Sequence, residues 1–166
     1  MKINKLKNTI LRCKIHRKEI LHLSQHVEAL HIGGSFSSVE IVDCIYNLLL
    51  NKKDKFILSK GHAGIIQYVL LYYLKKITKQ QLYSYCQKDG YIGVHPDYGK
   101  NGINASTGSL GHGLGMCSGM AIAKPNSVFY VVISDGELQE GSVWESALTI
   151  GALKLKNIVL IVDNND

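Results

Sequence analysis

Two apolar runs near the end of the chain, residues 128–133 and 158–162, give its clearest hydrophobic pattern. Each run is followed at once by polar side chains, and a segment of helical length separates them. Short apolar runs joined by a helix are typical of buried parallel strands. The pattern therefore predicts an α/β fold in which a parallel sheet is flanked by helices.

The rest of the chain alternates between helical spacing and turn residues. Helical spacing predicts a first helix over residues 5–30, ended by Gly33 and Gly34. Its expected apolar face comprises Ile10, Leu11, Ile15, Ile20, Leu21, Leu23, Val27 and Leu30. Ser38 is the expected cap of a second helix. A strand over 54–59 and helices over 63–76, 78–86, 110–124 and 142–156 follow, with Thr78 and Ser142 as further expected caps. A long glycine-rich loop covers residues 87–107.

Oxygen-bearing side chains follow both apolar runs. Asp135 comes after the first run and Asn165 after the second. The carboxyl ends of parallel strands meet at one edge of a sheet, which is where α/β proteins bind ligands. We therefore expect both side chains at one Mg²⁺ or Ca²⁺ ion that takes its other ligands from phosphate and water. Gly136 would let a diphosphate approach the start of the next helix. The alternatives are that Asp135 only caps that helix and that Asn165 is a turn residue.

Five segments in a fixed order carry a family resemblance. Asp135-Gly136, followed about thirty residues later by Asn165, resembles the thiamine diphosphate motif. Four more segments resemble, in family order, the N-terminal part of transketolases: His31-Ile32-Gly33-Gly34, Ser59-Lys60-Gly61-His62, Gly93-Val94-His95-Pro96, and residues 105–115. The resemblance covers about residues 22–165 and implies the thiamine diphosphate-binding fold.

The resemblance also implies roles for individual residues. His62 would contact the diphosphate and the substrate, and His31 and His95 would serve proton transfer or hydroxyl recognition as catalytic residues. Histidine suits this work because its pKa lies near working pH. The cofactor would lie along Gly108, Ser109, Leu110 and Gly136, with its metal on Asp135 and Asn165. Glu140 would sit near a contact between subunits. Taken singly, His31 and His95 would be ordinary surface or core histidines.

The implied reaction is transfer of a two-carbon ketol unit from a ketose phosphate to an aldose phosphate. Thiamine diphosphate and Mg²⁺ or Ca²⁺ would be the cofactors, and the pentose phosphate pathway the setting. Two alternatives are open: a related enzyme such as 1-deoxyxylulose-5-phosphate synthase or dihydroxyacetone synthase, and an inactive fragment with a structural role. The weakest option is a nucleotide-binding Rossmann domain, because no Gly-x-Gly-x-x-Gly follows an early strand.

One residue of the central motif departs from the family. Ser134 stands where the family has the first glycine of Gly-Asp-Gly. If that position needed a positive φ, serine would be disfavoured by about 1 kcal/mol. If it needed only a small side chain, serine would be harmless.

We expect one family domain over residues 1–166. Because the sequence stops just after Asn165, we also expect the fold to be incomplete at its C-terminal end. In the family, a backbone metal ligand, the pyrimidine-binding domain and a C-terminal domain lie beyond this point. We therefore expect the chain alone to be inactive. A C-terminal transketolase chain or the missing regions would complete it, in a homodimer or a heterotetramer.

Composition narrows the setting. The apolar fraction of 46% is ample for a packed core, and the net charge of +6 comes from scattered Lys and Arg. We expect neither a nucleic-acid nor a membrane partner. The densest basic cluster, residues 2–18, is typical of a solvated helix face, and no membrane-length apolar stretch or export signal is present. The four cysteines, Cys13, Cys44, Cys86 and Cys117, form no Cys-x-x-Cys pair. They indicate a reducing compartment, so we expect a cytoplasmic protein.

Overall fold

In the computed structural model, residues 2–27 and 30–165 are described. The chain divides into two compact units. The helical unit comprises Met1–Leu49, His62–His95 and Lys100–Gly102. The sheet unit comprises Leu50–Gly61, Pro96–Gly99 and Ile103–Asp166. Compact units within the fold do not test the expected single family domain over 1–166, which stays a prediction.

The helical unit is built from five α-helices among its described residues. These are α1 (Lys2–Ser24), α2 (Ile32–Ser37), α3 (Val39–Cys44), α4 (Gly64–Tyr73) and α5 (Lys79–Tyr83). A π-helical stretch, Ile45–Leu49, continues α3. Helix α1 packs against α3 and α4, and α4 is buried over nearly its whole length. Its apolar sequence explains this burial, because a helix that is hydrophobic all round belongs in a core.

The expected apolar face of α1 is wrong in four positions. Burial falls instead on residues spaced three or four apart: Thr9, Cys13, His16, Ile20 and Leu23. The exposed residues include Ile10, Leu11, Ile15 and Leu21. The inward face is set by a buried carboxylate, Asp43 on α3, which bonds Arg12 and His16. Counting apolar residues alone therefore misses the polar residues on the buried face.

Several predicted helix ends also differ. Helix α1 ends at Ser24, before the predicted Leu30, and residues 28 and 29 of that prediction lie outside the described residues. Gly33 and Gly34 lie inside α2 and do not end a helix. The prediction for Thr78 is confirmed, since it caps α5 in a capping box with Gln81.

The expected caps Ser38 and Ser142 are wrong, because both hydroxyls donate to backbone carbonyls elsewhere. The Ser38 hydroxyl donates to the Gly34 carbonyl at 2.8 Å. The Ser142 hydroxyl donates to the Gly111 carbonyl at 3.2 Å, which leaves the N-terminus of the last helix without a side-chain cap.

The sheet unit contains the predicted parallel sheet. Strands β1 (Lys55–Leu58), β2 (Phe129–Ser134) and β3 (Ile158–Asp163) are paired in parallel in the order β1-β2-β3. Helix α6 (His112–Ala123) leads into β2, and α7 (Gly141–Ala152) connects β2 to β3. The α/β fold with a parallel sheet flanked by helices is confirmed.

The core of the sheet unit lies between one face of the sheet and the two helices. Alternate residues of β2, Phe129, Val131 and Ile133, pack with Leu114 of α6 and Val143 of α7. This alternation follows from the two-residue period of a strand. Strand β3 lies at an edge of the sheet, where its side chains are less covered: Val159, Leu160 and Val162 are 38–40% exposed. The neighbouring β2 is almost fully buried.

All four cysteines are free thiols, as their spacing predicted. Burial raises the pKa of the Cys13 thiol to about 11 and that of Cys117 to about 12, so neither is a reactive thiolate near neutral pH. None of the helices in the described part of the chain is both long and apolar enough to cross a membrane.

Candidate cofactor site at the carboxyl edge of the sheet

Asp135 lies where the sequence pattern placed it, one residue beyond the end of β2. Its backbone N–H donates to the Asp163 carbonyl of β3 at 3.2 Å, and its side chain makes no capping hydrogen bond. The alternative that Asp135 serves only as a helix cap is therefore wrong. Asn165 lies two residues beyond the end of β3 and is exposed. Because Ser134 and Asp163 are register partners in parallel strands, Asp135 and Asn165 follow neighbouring strands at the same edge.

The replacement of the family glycine by Ser134 introduces no backbone strain. Ser134 is the last residue of β2 and is not among the non-glycine residues with positive φ. Its hydroxyl accepts from the Glu137 N–H at 3.2 Å. The interpretation that this position needs only a small side chain is the one that fits.

The loop that leads into α6 contains Gly108, Ser109 and Leu110 and is held tightly against the end of β1. Gly108 has φ +141° and Gly111 has φ +81°, conformations that L side chains rarely adopt. A Cβ on Gly61 would lie 2.7 Å from the Gly108 nitrogen, and one on Gly113 would lie 2.3 Å from the Ser59 hydroxyl. Gly108 and Gly111 are therefore favoured by their backbone conformation, and Gly61 and Gly113 by the close approach of neighbouring atoms.

The side chains of the same loop and of the turn after β2 remain accessible. Ser109 and Leu110 are exposed, and so is Gly136. The nearest atom that a Cβ on Gly136 would meet is the Ser134 hydroxyl, at 3.9 Å. The backbone of Gly136 therefore borders open space, which suits the approach of a ligand.

A buried carboxylate that sequence analysis passed over joins these segments. Glu137 is 0% exposed, and its carboxylate accepts from the Ser59 hydroxyl at 2.5 Å, the Gly111 N–H at 2.9 Å and the Ser134 N–H at 2.9 Å. The sequence carries one sign that Glu137 bonds the backbone near Ser134. A serine followed three residues later by a glutamate is a capping-box pattern.

A buried ion pair was also missed. The Lys60 ammonium, just after β1, donates to the Asp163 carboxylate at the end of β3 at 2.5 Å, with side-chain exposures of 0% and 5%. Because β2 lies between β1 and β3, this bond spans the end of the central strand. Spacing along the chain gives no sign of it, because the two residues are 103 positions apart.

The three predicted catalytic histidines belong to the helical unit. His31 precedes α2 and is exposed, and its ring lies 5.9 Å from the ring of His62, edge to face. His62 lies in the short 3₁₀ turn Gly61–Ala63. His95 is exposed and does not share this ring contact, although its carbonyl accepts from the Tyr68 hydroxyl at 2.6 Å.

The side chains at the sheet edge suit a metal ion that is bound jointly by protein and a phosphate ligand better than one bound by protein alone. Within residues 2–27 and 30–165, no group of three His, Cys, Asp or Glu side chains could hold a metal ion. Asp135 and Asn165 offer a carboxylate and an amide oxygen. This donor set suits Mg²⁺, which usually takes one or two carboxylates and completes its shell with phosphate oxygens and water.

Comparison with known proteins supplies the family. Residues 26–166 match the family described as transketolase, thiamine diphosphate binding domain. The match covers most of the chain, so the chain belongs to the transketolase family and corresponds to that domain. The resemblance stated from the sequence motifs is confirmed.

Individual relatives agree with this assignment. The chain is 37% identical to one subunit of the apulose-4-phosphate transketolase of Actinobacillus succinogenes, over 93% of this chain and 61% of the relative. It is 32% identical to the corresponding subunit from Phocaeicola vulgatus, over 93% and 60% of the two chains. The chain thus spans about three-fifths of the length of these relatives.

Solved structures show the same fold. The transketolase from Leishmania mexicana superposes with a TM-score of 0.85 at 24% identity. The match covers 92% of this chain and 26% of that transketolase. At this identity the likeness establishes the fold alone. The shared fold corresponds to about a quarter of the length of that transketolase.

Proposed function

We propose that this chain supplies the diphosphate and metal site of a transketolase that moves a two-carbon ketol unit between sugar phosphates. The observation that carries the proposal is the sheet edge, where Asp135 follows β2 beside a closely packed glycine loop and an open Gly136. The carboxyl ends of parallel strands are the usual place for such a site.

Within the sheet unit, the proposal assigns a role to each predicted cofactor residue. Asp135 and Asn165 would hold Mg²⁺ or Ca²⁺ through their oxygens, and such an ion would neutralise the charge of the diphosphate. The backbone of Gly108, Ser109 and Leu110 and that of Gly136 lie along the cofactor. Left-handed and closely packed glycines expose backbone N–H groups that can donate to phosphate oxygens.

Within the helical unit, we assign the histidines to the sugar and its protons. His62 contacts the diphosphate and the substrate, and its edge-to-face contact with His31 orients both rings. His31 and His95 bind sugar hydroxyls and move protons, work that suits imidazoles whose ordinary pKa lies near neutrality. Thiamine diphosphate, when bound, supplies the nucleophilic carbon and electron sink that the breaking of a ketose carbon–carbon bond needs.

The proposal includes a partner, because the two apulose-4-phosphate transketolase relatives are named as subunits and are longer than this chain. A second subunit or further chain completes the enzyme as a homodimer or heterotetramer, and the exposed Glu140 lies near that contact. We place the assembly in the cytoplasm and in sugar phosphate metabolism. Four free cysteines fit a reducing compartment.

The test uses the assembly that contains this chain, purified from its own cells through a tagged gene. Bound thiamine diphosphate and metal are quantified after denaturation, and products are identified from xylulose 5-phosphate or apulose 4-phosphate with an aldose phosphate acceptor. We expect bound cofactor and a two-carbon transfer. An assembly that retains no cofactor and transfers nothing would instead indicate a purely structural role.

Two variants with matched controls separate the roles. Asp135→Ala is expected to abolish metal-dependent cofactor binding, whereas Glu145→Ala, an exposed carboxylate on α7, leaves it intact. His62→Ala is expected to fold normally but to lower turnover by about a hundredfold or more, as removal of a proton-transfer group does. His22→Ala, an exposed histidine of α1, is its control. Unchanged cofactor affinity in Asp135→Ala would remove the metal-site assignment.

A further inference from the structure

Glu137 has a position that no ordinary surface acid occupies. It comes two residues after Asp135, yet its side chain is fully buried within the sheet unit. A buried carboxylate is tolerated only where hydrogen bonds replace its lost water. Here three donors do so, and they come from three different segments at the carboxyl edge of the sheet.

The donors define which segments the carboxylate joins. Oε1 accepts from the Ser59 hydroxyl, just after β1, and from the Gly111 N–H at the end of the glycine loop. Oε2 accepts from the Ser134 N–H at the end of β2. The Ser59 hydroxyl in turn accepts from the Gly113 N–H at 3.2 Å. One side chain therefore fixes the glycine loop relative to the ends of two strands.

The chemistry of these bonds requires a group that only accepts. The Gly111 and Ser134 N–H groups cannot reverse their direction, and each one addresses a different oxygen of Glu137. A glutamine amide would have to point its NH₂ at one of these N–H groups, so one backbone donor would lose its partner. An unpaired buried donor is more destabilising than a missing bond in water, and the loop would shift to relieve it.

We infer that Glu137 is a positioning residue that holds the Gly108–Leu110 backbone in the geometry that binds the cofactor diphosphate. The inference rests on the proposed function. Charge alone would predict that Glu137 weakens cofactor binding, because a carboxylate repels a nearby diphosphate. We expect the positioning of the loop to outweigh this repulsion. Both carboxylate oxygens already accept hydrogen bonds, and the side chain is buried away from solvent.

The test compares Glu137→Gln with Glu145→Gln in the purified assembly. Glu137→Gln is expected to raise the dissociation constant for thiamine diphosphate at fixed Mg²⁺ by at least about tenfold, which corresponds to about 1.4 kcal/mol. At saturating cofactor its kcat and its KM for the sugar should stay within about threefold of the wild type, because Glu137 is assigned no contact with the sugar. Glu145→Gln should change none of these values.

Each result decides the matter. An unchanged or lower dissociation constant in Glu137→Gln would overturn the inference alone, provided that the wild type binds the cofactor; a lower value would show that charge repulsion dominates. A wild-type assembly that binds no cofactor would overturn the proposed function as well.

If Glu137→Gln fails to fold, amide hydrogen exchange of the cofactor-free wild type decides the question. The inference requires a protected Gly111 N–H in the segment 107–114. Exchange of that amide at the rate of an open loop would contradict the inference.

Discussion

Asp43 in the helical unit and Glu137 in the sheet unit are buried carboxylates that are held by different kinds of donor. In the helical unit, Asp43 is held by side chains: Arg12 donates three hydrogen bonds to it at 2.7, 2.9 and 3.2 Å, and His16 lies 3.2 Å away. In the sheet unit, Glu137 is held mainly by backbone N–H groups of a strand end and a loop.

The difference separates two uses of a buried charge. Side-chain donors on α1 connect that helix to α3, and none of the predicted cofactor residues takes part. Backbone donors at the sheet edge place the loop that we assign to the cofactor. We therefore expect substitutions in the first cluster to change stability, and substitutions around Glu137 to change cofactor affinity as well.

The largest expected effect on stability comes from the Lys60–Asp163 pair. Lys60→Met should lower the free energy of unfolding by about 3–5 kcal/mol, because it removes the ammonium group that neutralises the buried Asp163 carboxylate. Urea unfolding measures the change, with exposed Lys53→Met as a control expected to stay within about 0.5 kcal/mol. The double variant Lys60→Met/Asp163→Leu should regain much of the loss. A loss below about 1 kcal/mol in the single variant would show that the pair is not desolvated.

A smaller loss is expected in the helical unit. Burial raises the pKa of Asp43, but the hydrogen bonds from His16 and Arg12 outweigh burial and hold that pKa below its usual range. Asp43→Asn should cost about 1–3 kcal/mol at neutral pH, less than Lys60→Met, because the Arg12 left behind is 31% exposed and can regain water.

The pH dependence of the Asp43 contribution has a definite sign. A carboxylate whose folded pKa is depressed stabilises the protein above its unfolded pKa, near 3.9, and loses that contribution as the pH falls through the folded value. The wild type should therefore lose its advantage over Asp43→Asn as the pH falls below about 4. Urea midpoints measured from neutral pH to acid check this, and an advantage that persists unchanged in acid would contradict it.

The smallest effect is expected from the exposed pair Arg17–Glu40, at 2.5 Å in the same helical unit. The two side chains are 32% and 54% exposed, so Glu40→Gln should cost less than about 1 kcal/mol. High salt should remove most of this difference, because the Debye length at 1 M ionic strength is only about 3 Å. A larger, salt-independent loss would show that this pair resembles the Asp43 cluster.

The two units also differ in how well their amino-acid sequence predicts their structure. In the sheet unit, the apolar runs predicted both later strands to within a residue, and Asp135 and Asn165 follow neighbouring strands as expected. In the helical unit, four residues assigned to the buried face of α1 are exposed. Continuous apolar runs leave a strand little choice of face, whereas a helix with apolar residues on several sides takes the face that its partner selects.

The site roles stay predictions for all nine residues: His31, His62, His95, Gly108, Ser109, Leu110, Asp135, Gly136 and Asn165. The variants Asp135→Ala and His62→Ala test two of these roles directly. The resemblance supplied these roles, and the fold places Asp135 and Asn165 after neighbouring strands at the expected edge of the sheet. The motifs assigned no role to the residues that hold the edge together, Glu137, Lys60 and Asp163. Their partners lie tens of residues away along the chain.

The sequence by itself determined the α/β class, the parallel strands and the transketolase family. Continuous apolar runs indicate buried strands, and the order of the motifs indicates the family. Only the tertiary structure decided which polar residues are buried and what they hold. The burial of Glu137 and the pairing of Lys60 with Asp163 depend on segments that meet only after folding. Hydrogen bonds act over about 3 Å in space and carry no fixed spacing in sequence.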